Sequence, residues 1–297
     1  MSLQINISGI EFKNPIWLGA GSLGFGLEAS KFLDLGKIGA FVTKGLSLKP
    51  IEGNKPPRIA KTPCGMINSI GLQNPGAEVF IREIYPHLES LKTTIIVNIF
   101  CTEIKDCVKL CQKLEPLKAV VAYELNVSCP NVKEGGILFC KSESSLKELI
   151  RSLKLSVSKP VFVKFPPNTD LKTLEIAIKE GANAIVLSNT LPAMKIDISL
   201  GKVDILGGLS GPAILPLTVR AVFEARREFK AFPIIASGGV YSLESALELI
   251  MAGANAVQIG SQSFCSPELA FEIISALETK AISISELFCK AHDGLIY

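Results

Sequence analysis

Eight short runs rich in valine, isoleucine and alanine recur along the chain, each followed by a longer stretch with helical spacing, and few folds accept that rhythm. The runs are Ile16–Gly19, Ala40–Thr43, Ile95–Ile99, Tyr123–Asn126, Val161–Lys164, Ala184–Ser188, Ile234–Ser237 and Ala256–Ile259. Short apolar runs of this kind read as buried strands, and their alternation with helices predicts βα units around a parallel sheet. Helices are expected at Glu78–Leu91, Ile104–Leu114, Ser145–Val157, Leu171–Glu180, Ala213–Phe229, Leu243–Ala252 and Pro267–Ala276. A weaker one is expected near Ala29–Leu35, and Ser285–His292 closes the chain. Ser142 or Ser144, Asp170 and Ser242 are placed to cap helix starts, while Gly181 and Gly253 suit left-handed positions after helix ends. Eight such units in 297 residues predict an α/β fold, a single (β/α)8 TIM barrel forming one domain over residues 1–297. Gln4–Ile7 and Glu11–Phe12 around Ser8-Gly9 read as a small β-hairpin that could close the barrel bottom.

Composition agrees with a large core. Hydrophobic residues make up 48% and charged ones 20%, which excludes a disordered chain. The longest charge-free stretch, Leu249–Pro267, is interrupted by Gly253, Asn255, Gln258, Gly260, Ser261 and Gln262, so no membrane span is expected. The N-terminus lacks the pattern of a secretory signal, and a soluble, cytoplasmic protein is expected. With 31 Lys+Arg against 28 Asp+Glu the net charge is only +3, which offers no basic stripe for nucleic acid. The eight cysteines contain no Cys-x-x-Cys pair and only two histidines accompany them, so no metal or iron–sulfur site is expected within this chain. Cys107 and Cys111, one helical turn apart, read as small apolar residues on a buried face.

Three connections are too long for turns: Lys44–Ala77, Ser128–Ser144 and Leu191–Pro212. All follow strands and therefore belong to the C-terminal face, where barrel enzymes hold their chemistry; they read as long loops. Polar residues collect at the same ends: Lys44, Asn98, Asn126, Lys164 and Ser188-Asn189-Thr190. One such residue would read as a solvated or capping group. Two lysines and three asparagines converging on one barrel mouth would be costly to bury without a ligand. Asparagine offers both donor and acceptor, which suits the C=O and N–H edge of a cyclic imide such as a pyrimidine, and lysine suits a carboxylate or an electron-rich ring edge. Ser237-Gly238-Gly239 and Gly260-Ser261 follow the seventh and eighth runs, where barrels bind phosphate through backbone N–H groups.

The loop Asn126-Val-Ser-Cys-Pro-Asn131, followed by Val-Lys-Glu-Gly-Gly136, resembles the catalytic loop of the dihydroorotate dehydrogenases, in particular the class 1 enzymes that use cysteine there. The resemblance runs through Asn14-Pro15, Thr43-Lys44-Gly45, Ile67–Gly76, Val163-Lys164, Ser188–Thr190, Gly207–Ala213, Ser237–Gly239 and Gln258–Gly260, and it is most similar to the class 1B catalytic subunit. Pro166, Ser188 and Ala193 depart from the class 1B pattern, and the loop between Asp197 and Gly207 is short.

The resemblance implies FMN contacts from Ser22, Lys44, Gly45, Asn98, Asn126, Lys164, Ser188, Gly211, Gly238, Gly239, Gly260 and Ser261. It implies substrate contacts from Lys44, Asn68, Ser69, Ile70, Gly71, Leu72, Asn126, Asn189 and Thr190, and makes Cys129 the catalytic base. The implied activity is oxidation of (S)-dihydroorotate to orotate in pyrimidine (UMP) biosynthesis, with Lys164 stabilising reduced flavin. Electrons would pass to NAD through a partner subunit carrying FAD and a [2Fe-2S] cluster, in a homodimer or a heterotetramer. That chemistry needs a base for the C5 proton on the face away from the flavin, and a thiol on a Pro- and Gly-flanked loop can supply it. Three other readings stand beside it: a dihydropyrimidine dehydrogenase-like enzyme acting on dihydrouracil, a non-catalytic flavin-binding electron-transfer subunit, and an RNA-modifying flavin barrel. Lys44 favours a substrate bearing a carboxylate.

Overall fold

In the computed structural model, residues 2–128, 139 and 142–293 are described. Eight strands close a parallel barrel in chain order: β3 (Ile16–Leu18), β4 (Ala40–Val42), β7 (Ile95–Ile99), β8 (Val120–Asn126), β9 (Val161–Lys164), β10 (Ala184–Leu187), β13 (Ile234–Ser237) and β14 (Ala256–Ile259), with β14 pairing back onto β3. Each expected run became one of these strands, within three residues at either end. β1 (Ile5–Ile7) and β2 (Ile10–Phe12) form the antiparallel N-terminal hairpin, turning through Ser8 and Gly9 at positive φ. Ile7 and Phe12 pack under Trp17 inside the barrel, with the Phe12 and Trp17 ring centroids 4.5 Å apart, so the bottom is plugged by side chains. Burying each of those two side chains is worth roughly 1.5–3 kcal/mol.

Strand alternation divides the interior. Outward-facing Ile16, Leu18, Ile95, Val97, Ile99, Tyr123, Leu125, Val257 and Ile259 join the core under the helices. Inward-facing Ala40, Val42, Ile96, Ala122, Phe162, Ala184, Val186, Ile235 and Ala256 fill the lower barrel. Two residues further up the same faces the side chains turn polar, because successive inward residues on a strand are two apart.

The helical layer consists of α1 (Gly76–Val79), continuing through a π turn at Phe80–Ile84 into α2 (Tyr85–Ser90), then α3 (Ile104–Leu114), α4 (Glu143–Ser156), α5 (Leu171–Lys179), α6 (Leu215–Glu228), α7 (Leu243–Met251) and α8 (Leu269–Thr279), with a short α9 (Ile284–Leu287). Ser142, Asp170 and Ser242 are the N-caps of α4, α5 and α7, each accepting from a backbone N–H three residues on. Cys107 and Cys111 lie with Leu110 and Leu114 on the buried face of α3. Hydrogen bonds with Cys101 and Cys111, and burial, push the Cys107 thiol well above its ordinary range. No helix among the described residues is long and apolar enough to cross a membrane.

Two expectations need correction, and a third gains detail. Ala29–Leu35 is not an α-helix but two 3-10 turns, Ala29–Lys31 and Leu35–Lys37, the second capped by Asp34; the segment is too short to propagate a helix. The closing helix breaks at Cys289, φ +63°, into α9 and a turn at Lys290–His292. Tertiary contacts draw it back: Arg226 lies over the Phe288 ring, and His292 stacks on Phe223 at 4.1 Å. Two of the three long connections carry antiparallel strands. β5 (Ile59–Thr62) with β6 (Gly65–Asn68), and β11 (Leu191–Asp197) with β12 (Lys202–Ser210), meet in one antiparallel sheet, order β11-β12-β6-β5, over the barrel mouth. The pairing partner of β6 lies 140 residues away in sequence, at Asn68 and Gly208, so no local pattern announces it. Most of the third connection, residues 129–138, lies outside the described residues.

Candidate active site

The barrel mouth holds a cavity of about 310 Å³ between the strand ends and the four-stranded sheet. Of the described residues expected to touch ligands, all but Ser69 line it: Ser22, Lys44, Gly45, Asn68, Ile70, Gly71, Leu72, Asn98, Asn126, Lys164, Ser188, Asn189, Thr190, Gly211, Gly238, Gly239, Gly260 and Ser261. Ser69 is tied outside, accepting from Asn54 Nδ2 at 3.0 Å while its N–H donates to the Arg58 carbonyl. Cys129 lies outside the described residues. Ile59, Met66 and Phe264 add apolar wall that the sequence reading did not assign.

The strands place the polar groups by alternation. Asn98, Glu124, Asn126, Lys164 and Gln258 all sit on inward faces of β7, β8, β9 and β14, and each is 9% exposed or less. Glu124 and Gln258 are the members that sequence reading did not assign a role. Glu124 is fully buried; it accepts from Asn98 Nδ2 at 2.7 Å and from Gln258 Nε2 at 2.6 Å, and pairs with Lys164 Nζ at 3.4 Å. Lys164 also donates to Gln258 Oε1 at 3.2 Å. The signal was present: Glu124 stands two residues before Asn126 on one strand, hence on the same face.

The amides are oriented by these partners. Asn98 Oδ1 is buried and has no protein partner among the described residues, so it is an acceptor waiting for a ligand N–H. A Cβ on Gly45 would come within 3.1 Å of that oxygen, a tight contact. Asn126 Oδ1 accepts from the Ser128 N–H at 3.1 Å and hydroxyl at 2.7 Å, leaving Nδ2 for the cavity. Asn189 Nδ2 donates to Ser128 Oγ at 2.6 Å. Ser128, 1% exposed, is thereby pinned immediately before Cys129.

One end of the cavity suits an anion. The backbone N–H groups of Gly238, Gly239, Gly260 and Ser261 donate to no protein acceptor among the described residues. Gly239 has φ +88°, and a Cβ there would stand 2.4 Å from Leu215 Cα. A Cβ on Gly260 would meet nothing within 4 Å, so the cavity reaches the backbone itself. In the same cavity burial, and then the Arg58 guanidinium, lower the Lys44 ammonium below its ordinary pKa. The site thus offers backbone N–H groups suited to an anion, an acceptor and donors for a ring with imide edges, and the Lys44 cation.

The sequence model of the family described as "Dihydroorotate dehydrogenase" matches residues 2–280. The chain belongs to the dihydroorotate dehydrogenase family. The catalytic subunit of dihydroorotate dehydrogenase B (NAD(+)) from Thermodesulfovibrio yellowstonii is 44% identical over 281 residues, covering 93% of this chain and 92% of its own. The subunit of that name from Geotalea daltonii is 43% identical over 281 residues, with the same coverage. A provisionally named dihydroorotate dehydrogenase A (fumarate) from Aquifex aeolicus is 48% identical over 284 residues, covering 94% and 93%. Among solved structures, that of a DHODH from Eimeria tenella in complex with ferulenol superposes with a TM-score of 0.81 at 21% identity, covering 98% of this chain and 89% of that one, a likeness of fold.

Proposed function

We propose that this chain is the FMN-dependent catalytic chain of a dihydroorotate dehydrogenase, one barrel domain that oxidises (S)-dihydroorotate to orotate in cytoplasmic pyrimidine biosynthesis. The observation that carries it is the meeting, in one cavity of a family member, of an anion cradle, the buried unpaired Asn98 Oδ1 and the cation Lys44. These groups fit FMN and a carboxylate-bearing pyrimidine together.

Bound FMN supplies a hydride acceptor at N5. The N–H groups of Gly238, Gly239, Gly260 and Ser261 would hold its phosphate, Asn98 Oδ1 would accept from a ring N–H, and Lys164 would set a positive charge against the ring. Ser22, Gly45, Ser188 and Gly211, which also line the cavity, would complete the FMN wall. Lys44 pairs with the dihydroorotate carboxylate. Asn68, Asn126, Asn189 and Thr190 hold its C=O and N–H groups, and Ile70, Gly71 and Leu72 close over it. Cys129 would take the C5 proton as thiolate, so turnover should rise toward alkaline pH as the thiolate forms.

NAD would be the electron acceptor through a partner subunit that would carry FAD and [2Fe-2S], and the catalytic chain itself would be dimeric. A second reading, fumarate as acceptor, is favoured by the 48% identity to the fumarate-type relative. The purified chain should carry a flavin spectrum that dihydroorotate bleaches anaerobically and dihydrouracil does not. Bleaching by dihydrouracil alone would assign the dihydropyrimidine reading instead, and no bleaching by either would leave a binding subunit without turnover. Reoxidation by fumarate, or by NAD only when the iron–sulfur partner is added, separates the two acceptors.

A further inference from the structure

We propose that Glu124 is a positioning residue that fixes the polarity of the FMN site by acting through Asn98, Lys164 and Gln258; this rests on the FMN reading above. Glu124 does not line the cavity, yet it touches two residues that do, Asn98 and Lys164. Its carboxylate joins four barrel strands, with Asn98 on β7, Lys164 on β9 and Gln258 on β14 meeting it on β8.

An ionised carboxylate only accepts. Asn98 must therefore turn Nδ2 toward Glu124, and its Oδ1 must face the ligand, where it stands unpartnered. Gln258 must likewise give Nε2 to Glu124, which leaves its Oε1 to receive Lys164 Nζ. With two protein acceptors, Lys164 keeps one of its three N–H groups for a ligand. A glutamine at 124 would accept and donate alike, so Asn98 could reverse and present a donor where an acceptor is required. The negative charge also offsets Lys164 at the barrel centre. Without it the uncompensated ammonium favours whichever flavin form carries more negative charge, the reduced one.

The test uses the full chain, stripped of flavin and titrated with FMN, in wild type, Glu124→Gln and the exchange Glu124→Gln/Gln258→Glu. In the single variant the Kd for FMN should rise about tenfold or more, the scale of a hydrogen bond to a charged group, and the midpoint potential of bound flavin should rise. In the exchange variant the amide now at position 124 can accept from Asn98 through its oxygen while its NH2 donates to the carboxylate now at position 258, which takes Lys164; affinity and potential should both return toward wild type. A merely structural role would not move the potential and would not be rescued by the exchange. Unchanged affinity in the single variant, a potential no higher than wild type, or an exchange variant no closer to wild type than the single one overturns the inference. If Glu124→Gln does not fold, the exchange variant decides alone: FMN binding within about threefold of wild type supports the role, and weaker binding overturns it. A wild-type chain that takes up no FMN sinks the FMN reading and this inference together, whereas normal wild-type binding matched by Glu124→Gln overturns only the role of Glu124.

Discussion

Lys164→Met removes the one cation that, among the described residues, pairs with a fully buried carboxylate. The Lys164 side chain is 6% exposed and that of Glu124 0%, with Nζ 3.4 Å from Oε1. At an effective dielectric constant of about 20, two unit charges at that distance attract by roughly 5 kcal/mol. The two amides at 2.6 and 2.7 Å stay in place and retain part of the stabilisation. Breaking a buried pair by removing one partner costs on the order of 3–5 kcal/mol, and we expect the flavin-free chain to lose that much. With an unfolding entropy of ~2.1 cal/mol/K per residue over 297 residues, the melting temperature should fall by roughly 5–8 °C. Differential scanning calorimetry of the apoprotein measures this directly. Lys164→Met/Glu124→Gln should recover most of the loss, because it buries no net charge while leaving a side chain that can still accept from Asn98. An apoprotein of Lys164→Met melting within about 1 °C of wild type, below the scale expected of a buried pair, would refute the claim that the pair carries this energy.

Three further outcomes are expected. Cys129→Ala should retain FMN while its anaerobic reduction by dihydroorotate, followed by stopped-flow absorbance, slows by orders of magnitude; near-normal reduction removes Cys129 from the proton transfer. Lys44→Met should raise KM for dihydroorotate on the order of 10- to 100-fold with FMN still bound; and since burial and Arg58 lower the Lys44 pKa, wild-type KM should climb as alkaline pH removes that charge, at a lower pH than a free lysine would set. Gly239→Ala adds a Cβ 2.4 Å from Leu215 Cα at φ +88°, a strain plus overpacking cost of roughly 2–5 kcal/mol. That chain should be purified with little flavin and a lowered melting temperature, and full flavin content would count against the cradle.

The barrel strands were legible because a buried parallel strand must be apolar along its length, and the eight runs carry that mark wherever they occur. Strand alternation then made the cavity legible too, since residues at successive strand ends have one face on which to meet; Lys44, Asn98, Asn126 and Lys164 meet there as expected. The same alternation held Glu124 in plain view on β8, but a lone glutamate in a strand says nothing until its partners on three other strands are known.

What the sequence determined by itself were properties of local period and residue type: the βα rhythm, the helix caps at Asp170 and Ser242, and the supply of amides and lysines at strand ends. What only tertiary structure decided were properties of pairs far apart in the chain. The sheet roofing the cavity exists because β6 finds β12. The closing helix breaks because the segment around Cys289 docks on Arg226 and Phe223. The direction in which Asn98 points is set by a carboxylate on the next strand. Local propensity is read within a turn or a strand, whereas register, docking and amide orientation are settled by which distant groups can satisfy one another once the barrel has closed.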